Sequence, residues 1–126
     1  MKLFDKFVGE SLIKEFEIGK LKFLVRIISK KEYLEAVNES LKKENIIAQS
    51  EDLKIRILAK SLIKIDDEAI EKYDEIANLV NDKVDVVEAT VQFLASLPNC
   101  ITDSLLLKYK EVEDKYSQQY DELKKN

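Results

Sequence analysis

The dipeptide Gly19-Lys20 sits between two runs that alternate apolar and polar residues, and it constrains this chain more than any other feature. Glycine in the first central position of a two-residue loop suits a type II′ turn, where that residue takes a positive φ. With the turn placed there, Ile18 lies opposite Leu21, Phe16 opposite Phe23 and Leu12 opposite Ile27. Leu12, Phe16, Ile18, Leu21, Phe23, Val25 and Ile27 then share one face, because strand side chains alternate with a period of two. Lys14 is the exception, and its stem can lie along apolar surface. On the other face Glu17 stands opposite Lys22, a favourable cross-strand pair. A one-residue slip would mix the two sets, so turn chemistry and apolar pattern agree on a β-hairpin over residues 12–28. Ser29-Lys30-Lys31-Glu32 follows directly and has the S-x-x-E form of a capping box, which starts a helix.

The remainder of the chain reads as helix. Two glycines and one proline in 126 residues leave few breaks, which favours long helices over many strands. The length fits one domain, 1–126. The expected fold class is mainly α with a small N-terminal β-hairpin (α+β): a bundle of about five helices packed on the hairpin, with a helical body over 30–116 and a polar helix end over 117–126. Tyr33, Leu34, Val37 and Leu41 mark one side of the first body helix. Ser50 is the expected cap of the next, with Glu51 and Asp52 in its first turn. Ile55, Leu58, Leu62 and Ile65 give that helix a buried stripe and make it the expected central helix.

Asp66-Asp67 reads as a break before a helix of about three turns over 68–80, followed by another that Asp82 caps. Val84, Val87, Val91 and Leu94 form one stripe of that helix; Val86, Phe93 and Leu97 form a second. Pro98 stops it, and Thr102 or Asp103 caps the last and longest helix. Leu3, Phe4, Phe7 and Val8 suggest a short amphipathic helix over 2–9, expected to fold back on the body, with a docking arm as the other reading.

Composition argues against several classes of function. The net charge of −4 and the pI near 5.0 run against a nucleic-acid partner. Lys20, Lys22, Arg26, Lys30 and Lys31 cluster near the hairpin, but Glu15, Glu17 and Glu32 interleave with them. The N-terminal MKLFDKFVGESL is too short and too charged for a secretory signal, and no run approaches the roughly 18 apolar residues of a membrane span. Cys100 is the single cysteine, so neither a disulfide within the chain nor a thiol metal cluster is expected; a buried structural role is.

With no histidine, the commonest general base and metal ligand is absent, and Ser-His or Cys-His pairs cannot form. Gly9 and Gly19 cannot build a phosphate-binding glycine loop. Asp66, Asp67 and Glu68 lack the spacing of a calcium loop, and Glu111 and Glu113 read as a solvated helix face. The chain is expected to be no enzyme, with no catalytic residue, metal, cofactor or small-molecule substrate. Protein–protein contact remains. Candidate partner-binding residues are Tyr109, Tyr116, Tyr120 and Leu123 along the last helix, since tyrosine offers apolar area with a polar tip; for Tyr109 a core role is the expected reading, and for Tyr120 and Leu123 the two readings stay open. The hairpin edge, with Glu17, Lys22, Leu24 and Arg26, is a second candidate, open to a partner strand or to hairpins of other copies in an oligomer. Gly19, Ser29, Glu32 and Pro98 are structural positions.

The order of these features resembles the small tail assembly chaperones of tailed bacteriophages and is similar to baseplate hub assembly proteins of contractile-tailed phages. The resemblance rests on the glycine-turn hairpin, Ser29-Lys30-Lys31-Glu32-Tyr33 at a helix start, Ile65-Asp66-Asp67 at the end of a central helix, Leu97-Pro98, and Tyr109-Lys110-Glu111-Val112 in the last helix. It spans about Phe16 to Tyr116. It implies a non-enzymatic protein of the host cytoplasm that binds the long apolar tape-measure protein, or another tail protein, before the tube polymerises. The extra helix expected near 68–80 departs from the simplest family members. That leaves the alternative of a virion subunit at the baseplate or neck of the tail; a cytosolic interaction module unrelated to phage is a third reading.

Overall fold

The computed structural model describes residues 2–8 and 12–125, and the side chains of all of these except Lys6 and residues 122–125. Its elements run α1 (Leu3–Val8), β1 (Ile13–Ile18), β2 (Leu21–Arg26), α2 (Lys30–Ser40), α3 (Ile46–Ser61), β3 (Leu62–Ile65), β4 (Glu68–Ala69), a 3-10 turn (Ile70–Lys72), α4 (Asp74–Asn81), α5 (Val86–Ala95) and α6 (Asn99–Lys125). The chain is mainly helical α+β, as its sequence indicates.

The hairpin has the expected register, with Ile18 opposite Leu21, Phe16 opposite Phe23 and Glu17 opposite Lys22. The Ile27 N–H continues the pairing by donating to the Leu12 carbonyl at 2.9 Å. Gly19 has φ +60° and Lys20 a negative φ, the combination of a II′ turn rather than a I′ turn. Phe16 and Phe23 stack at 5.4 Å between ring centres, and Val25 is fully buried.

The hairpin does not stand alone, however. The sheet has four strands in the order β1-β2-β3-β4, all antiparallel. Leu62-Ile63-Lys64-Ile65, expected to end the central helix, is a strand paired with β2. Its Leu62 and Ile65 have helical spacing, but a bulge in the pairing sets them opposite Val25 and Phe23 of β2, and β-branched Ile63 and Ile65 favour the strand. Asp66 and Asp67 join β3 to β4 with φ of +49° and +66°, a type I′ turn that aspartate tolerates better than most residues. Asp66 also fastens this turn to β2: its N–H donates to the Lys22 carbonyl and its carboxylate accepts from the Lys22 N–H, both at 2.8 Å.

The core lies between this sheet and α3, α5 and α6. Phe16, Phe23, Val25, Leu58, Leu62, Val91, Leu94, Leu105 and Tyr109 pack together there. A smaller cluster of Ile70, Ile76 and Ala89 joins α4 to α5.

Several caps differ from expectation. Asn45, not Ser50, caps α3, its side chain accepting from the Ala48 N–H at 2.9 Å. Asp85 rather than Asp82 caps α5, accepting from the N–H groups of Val87 and Glu88. In each case the helix starts at the nearest upstream Asx followed by apolar residues. α6 begins at Asn99, directly after Pro98, so Thr102 lies inside it and bonds back to the Asn99 carbonyl. The Ser29–Glu32 capping box is present as expected. Residues 68–81 hold β4, the 3-10 turn and the two-turn α4 instead of one helix.

Candidate interaction surface

The tyrosines of α6 do not form one exposed seam. Tyr109 is fully buried, because the first half of α6 lies against the sheet and α3. Its hydroxyl accepts from the Ile28 N–H and donates to Glu113, both at 3.2 Å, and burial pushes its pKa up to about 12. Tyr116 is half-buried and donates to the Val8 carbonyl at 3.1 Å. Tyr120 stays exposed. The Leu123 side chain lies outside the described residues.

The hairpin-edge candidates are also redistributed. β2 is flanked on both sides, so Lys22 and Leu24 face a paired strand rather than an open edge. Arg26 is occupied as well. Its guanidinium grips the Glu32 carboxylate with two bonds of 2.6 and 2.5 Å, which holds Glu32 at a pKa of about 2. Glu32 thus closes the capping box and ties the sheet to α2 at once. Of the four candidates only Glu17 lies on an outer strand. Cys100, expected to be buried, is exposed in the first turn of α6.

Two features escape the sequence reading. The first is a buried ionic link. Arg56, 7% exposed, donates to Asp52 at 2.7 Å and to Glu88 at 2.8 Å, while the Ser40 hydroxyl donates to the same Asp52 oxygen at 3.0 Å. The cluster joins α2, α3 and α5. An arginine between Ile55 and Ile57 in an apolar helix was its one sequence signal.

The second is apolar surface. The side of α2 with Tyr33, Leu34 and Leu41 faces outward; the buried residues of α2 are Ala36 and Ser40. At the tip of the α2–α3 hairpin, Ile46 and Ile47 are 81% and 77% exposed and Leu41 is 59% exposed. Exposed apolar groups grouped in this way mark interaction sites more often than isolated ones do. Lys43 and Ala48, close to these residues in sequence, help to line a groove of about 740 Å³ between α3 and the α5–α6 junction. Ala48, Ile55, Val91, Leu94 and Leu97 supply its apolar lining, with Lys43, Glu51 and Asp103 among its polar groups. Ile47 precedes Glu51 by four residues and therefore shares its side of α3.

Among the described residues there is no cluster of three acidic, cysteine or histidine side chains able to hold a metal ion. None of the helices is long and apolar enough to cross a membrane. Comparison with protein-family models, with curated proteins and with solved structures finds no match.

Proposed function

We propose that this chain is a non-enzymatic binding protein that receives an apolar helix of a partner in the groove between α3 and the α5–α6 junction. The observation that carries this reading is the exposed apolar cluster of Leu41, Ile46 and Ile47, whose sequence neighbours Lys43 and Ala48 help to line that groove. An amphipathic helix laid into an apolar groove is anchored by side chains at i, i+3, i+4 and i+7. An apolar lining edged by charges of both signs suits such a helix better than a small polar substrate.

The partner we propose is a phage tape-measure protein, bound in the host cytoplasm before tail polymerisation. Support comes from the order of motifs that resembles the tail assembly chaperones. One motif occupies another element here: Ile65-Asp66-Asp67 ends a strand and opens a turn instead of ending a helix. The hairpin, the capping box and the Leu97-Pro98 helix stop keep their places.

Co-expression with the tape-measure protein encoded beside it is the test. The expected result is a tape-measure protein kept soluble and recovered with this chain; unchanged solubility overturns the reading. Mass spectrometry of purified particles separates the chaperone from a baseplate or neck subunit. A chaperone is scarce there, whereas a fixed copy number would establish the structural subunit.

A further inference from the structure

Among the described residues, one apolar pocket and the apolar side of one short helix each lack a partner. The pocket, of about 300 Å³, opens beside the β3–β4 turn. Ile70 and Ile76, both buried, form its floor. Leu21, Ile65 and Phe93 stand around it with Tyr73, whose hydroxyl is fixed by donating to the Ile65 carbonyl at 2.6 Å.

Asp66 and Glu75 give the pocket an acidic rim, within a segment, DDEAIEKYDE from Asp66 to Glu75, that carries six carboxylates and a single lysine. All six acidic residues are exposed, and none pairs with a cation among the described residues. Such a site favours an apolar anchor flanked by positive charge.

α1 has that chemistry. Leu3, Phe4 and Phe7 are 60–68% exposed, contrary to the expectation that this helix folds back on the core. Its sequence reads Lys2-Leu3-Phe4-Asp5-Lys6-Phe7, with Lys2 ahead of Phe4 and Lys6 between the two phenylalanines. Tyr116 holds the helix at the Val8 carbonyl, while its apolar residues face solvent. Phe4 and Phe7, three residues apart, share a side of the helix. A cavity of about 150 Å³ accepts one benzene ring, so this pocket has room for both phenyl groups.

We propose that two copies of the chain associate by exchanging α1, with Phe4 and Phe7 of each copy entering the apolar pocket of the other beneath its acidic rim. The arrangement is isologous, so one arm-and-pocket contact is made twice around a two-fold axis and the assembly closes at a dimer. It does not depend on the tape-measure reading, since this pocket and the partner groove share no lining residue.

Light scattering coupled to size exclusion, run on the full chain over a concentration series, tests the proposal. The expected result is a concentration-dependent dimer. Phe4→Asp with Phe7→Asp should raise its dissociation constant at least about tenfold, and so should Glu71→Lys with Glu75→Lys. All four positions are exposed, so circular dichroism should stay unchanged; the melting temperature should stay unchanged for the arm variant and fall only slightly for the rim variant, whose Glu75 lies in the first turn of α4. Adding Lys2→Glu and Lys6→Glu to the rim variant should restore dimerisation by reversing both charges. Mixing the arm variant with the rim variant should give a heterodimer, because one intact arm then meets one intact pocket. A monomer at every concentration overturns the proposal, which is also the outcome if α1 occupies the pocket of its own chain. A dimer indifferent to both variant pairs, or variants that neither charge reversal nor mixing restores, overturns it equally.

Discussion

α2 and α5 each carry apolar residues at helical spacing and use them in opposite ways. α5 turns Val91 and Leu94 into the core and is covered by α3 on one side and α4 on the other. α2 packs on α3 through the small residues Ala36 and Ser40, which let the two helices approach closely, and leaves Leu34 and Leu41 outside. Helical periodicity establishes that a face is apolar. Whether that face becomes core or docking surface depends on how many neighbours the topology supplies.

The largest expected effect tests that contrast directly. Leu58→Ala, at a position 1% exposed, should cost about 2–5 kcal/mol by emptying a packed site. Leu34→Ala, 48% exposed, should stay within about 0.5 kcal/mol. Equal shifts in urea denaturation would mean that α2 is as much part of the core as α3.

The Arg56 link joins α3 to α5 and reaches α2 through Asp52 and Ser40. Arg56→Ala leaves Asp52, 10% exposed, without its main cation and should cost about 3 kcal/mol, as loss of one partner of a buried pair does. Arg56→Met keeps part of the volume and should cost less than Arg56→Ala by the same measurement.

Glu32 couples the sheet to α2 in a pH-dependent way. Its pKa is lowered, chiefly by the Arg26 hydrogen bonds, from 4.5 to about 2. The unfolded chain therefore takes up this proton first as pH falls. The contribution is complete above about pH 4.5 and is lost as pH drops towards 2. At a partly exposed pair it should amount to about 1 kcal/mol. Denaturation midpoints of wild type and Glu32→Gln should differ at pH 6 and converge near pH 2. A difference that persists unchanged at acid pH would assign the effect to the capping bond alone.

The smallest effect is a gain. Lys83 sits at φ +69°, just past the end of α4, where Val84 N–H donates to Leu79 and Lys83 N–H to Val80. Glycine is favoured there, so Lys83→Gly should raise stability by about 0.5–1 kcal/mol.

What could be read from sequence follows the range of the interactions. The hairpin, its II′ turn and the Ser29 cap depend on residues adjacent in sequence, and local chemistry specified all three. β3 reads as helix because Leu62 and Ile65 have helical spacing, and the deciding contact, a bulged pairing with β2, spans some forty residues. The Asp66-Asp67 turn has the sequence character of a helix break because aspartate serves both roles. Tyr109 sits in the same three-and-four spacing as Tyr120, and only the packing of α6 separates a buried strut from an exposed ring. Ile46 and Ile47 went unnoticed because they precede the cap expected at Ser50. Moving that cap to Asn45 places them in the first turn of α3, at the hairpin tip.

The central claim is that this tip serves binding rather than folding, and Ile46→Asp with Ile47→Asp tests it most directly. Acidic residues are favoured in a first helical turn, so the variant should melt at or slightly above the wild-type temperature. Co-expressed with the tape-measure protein, it should fail to keep that protein soluble. A variant that unfolds readily, or one that keeps the partner as soluble as wild type does, would contradict the account.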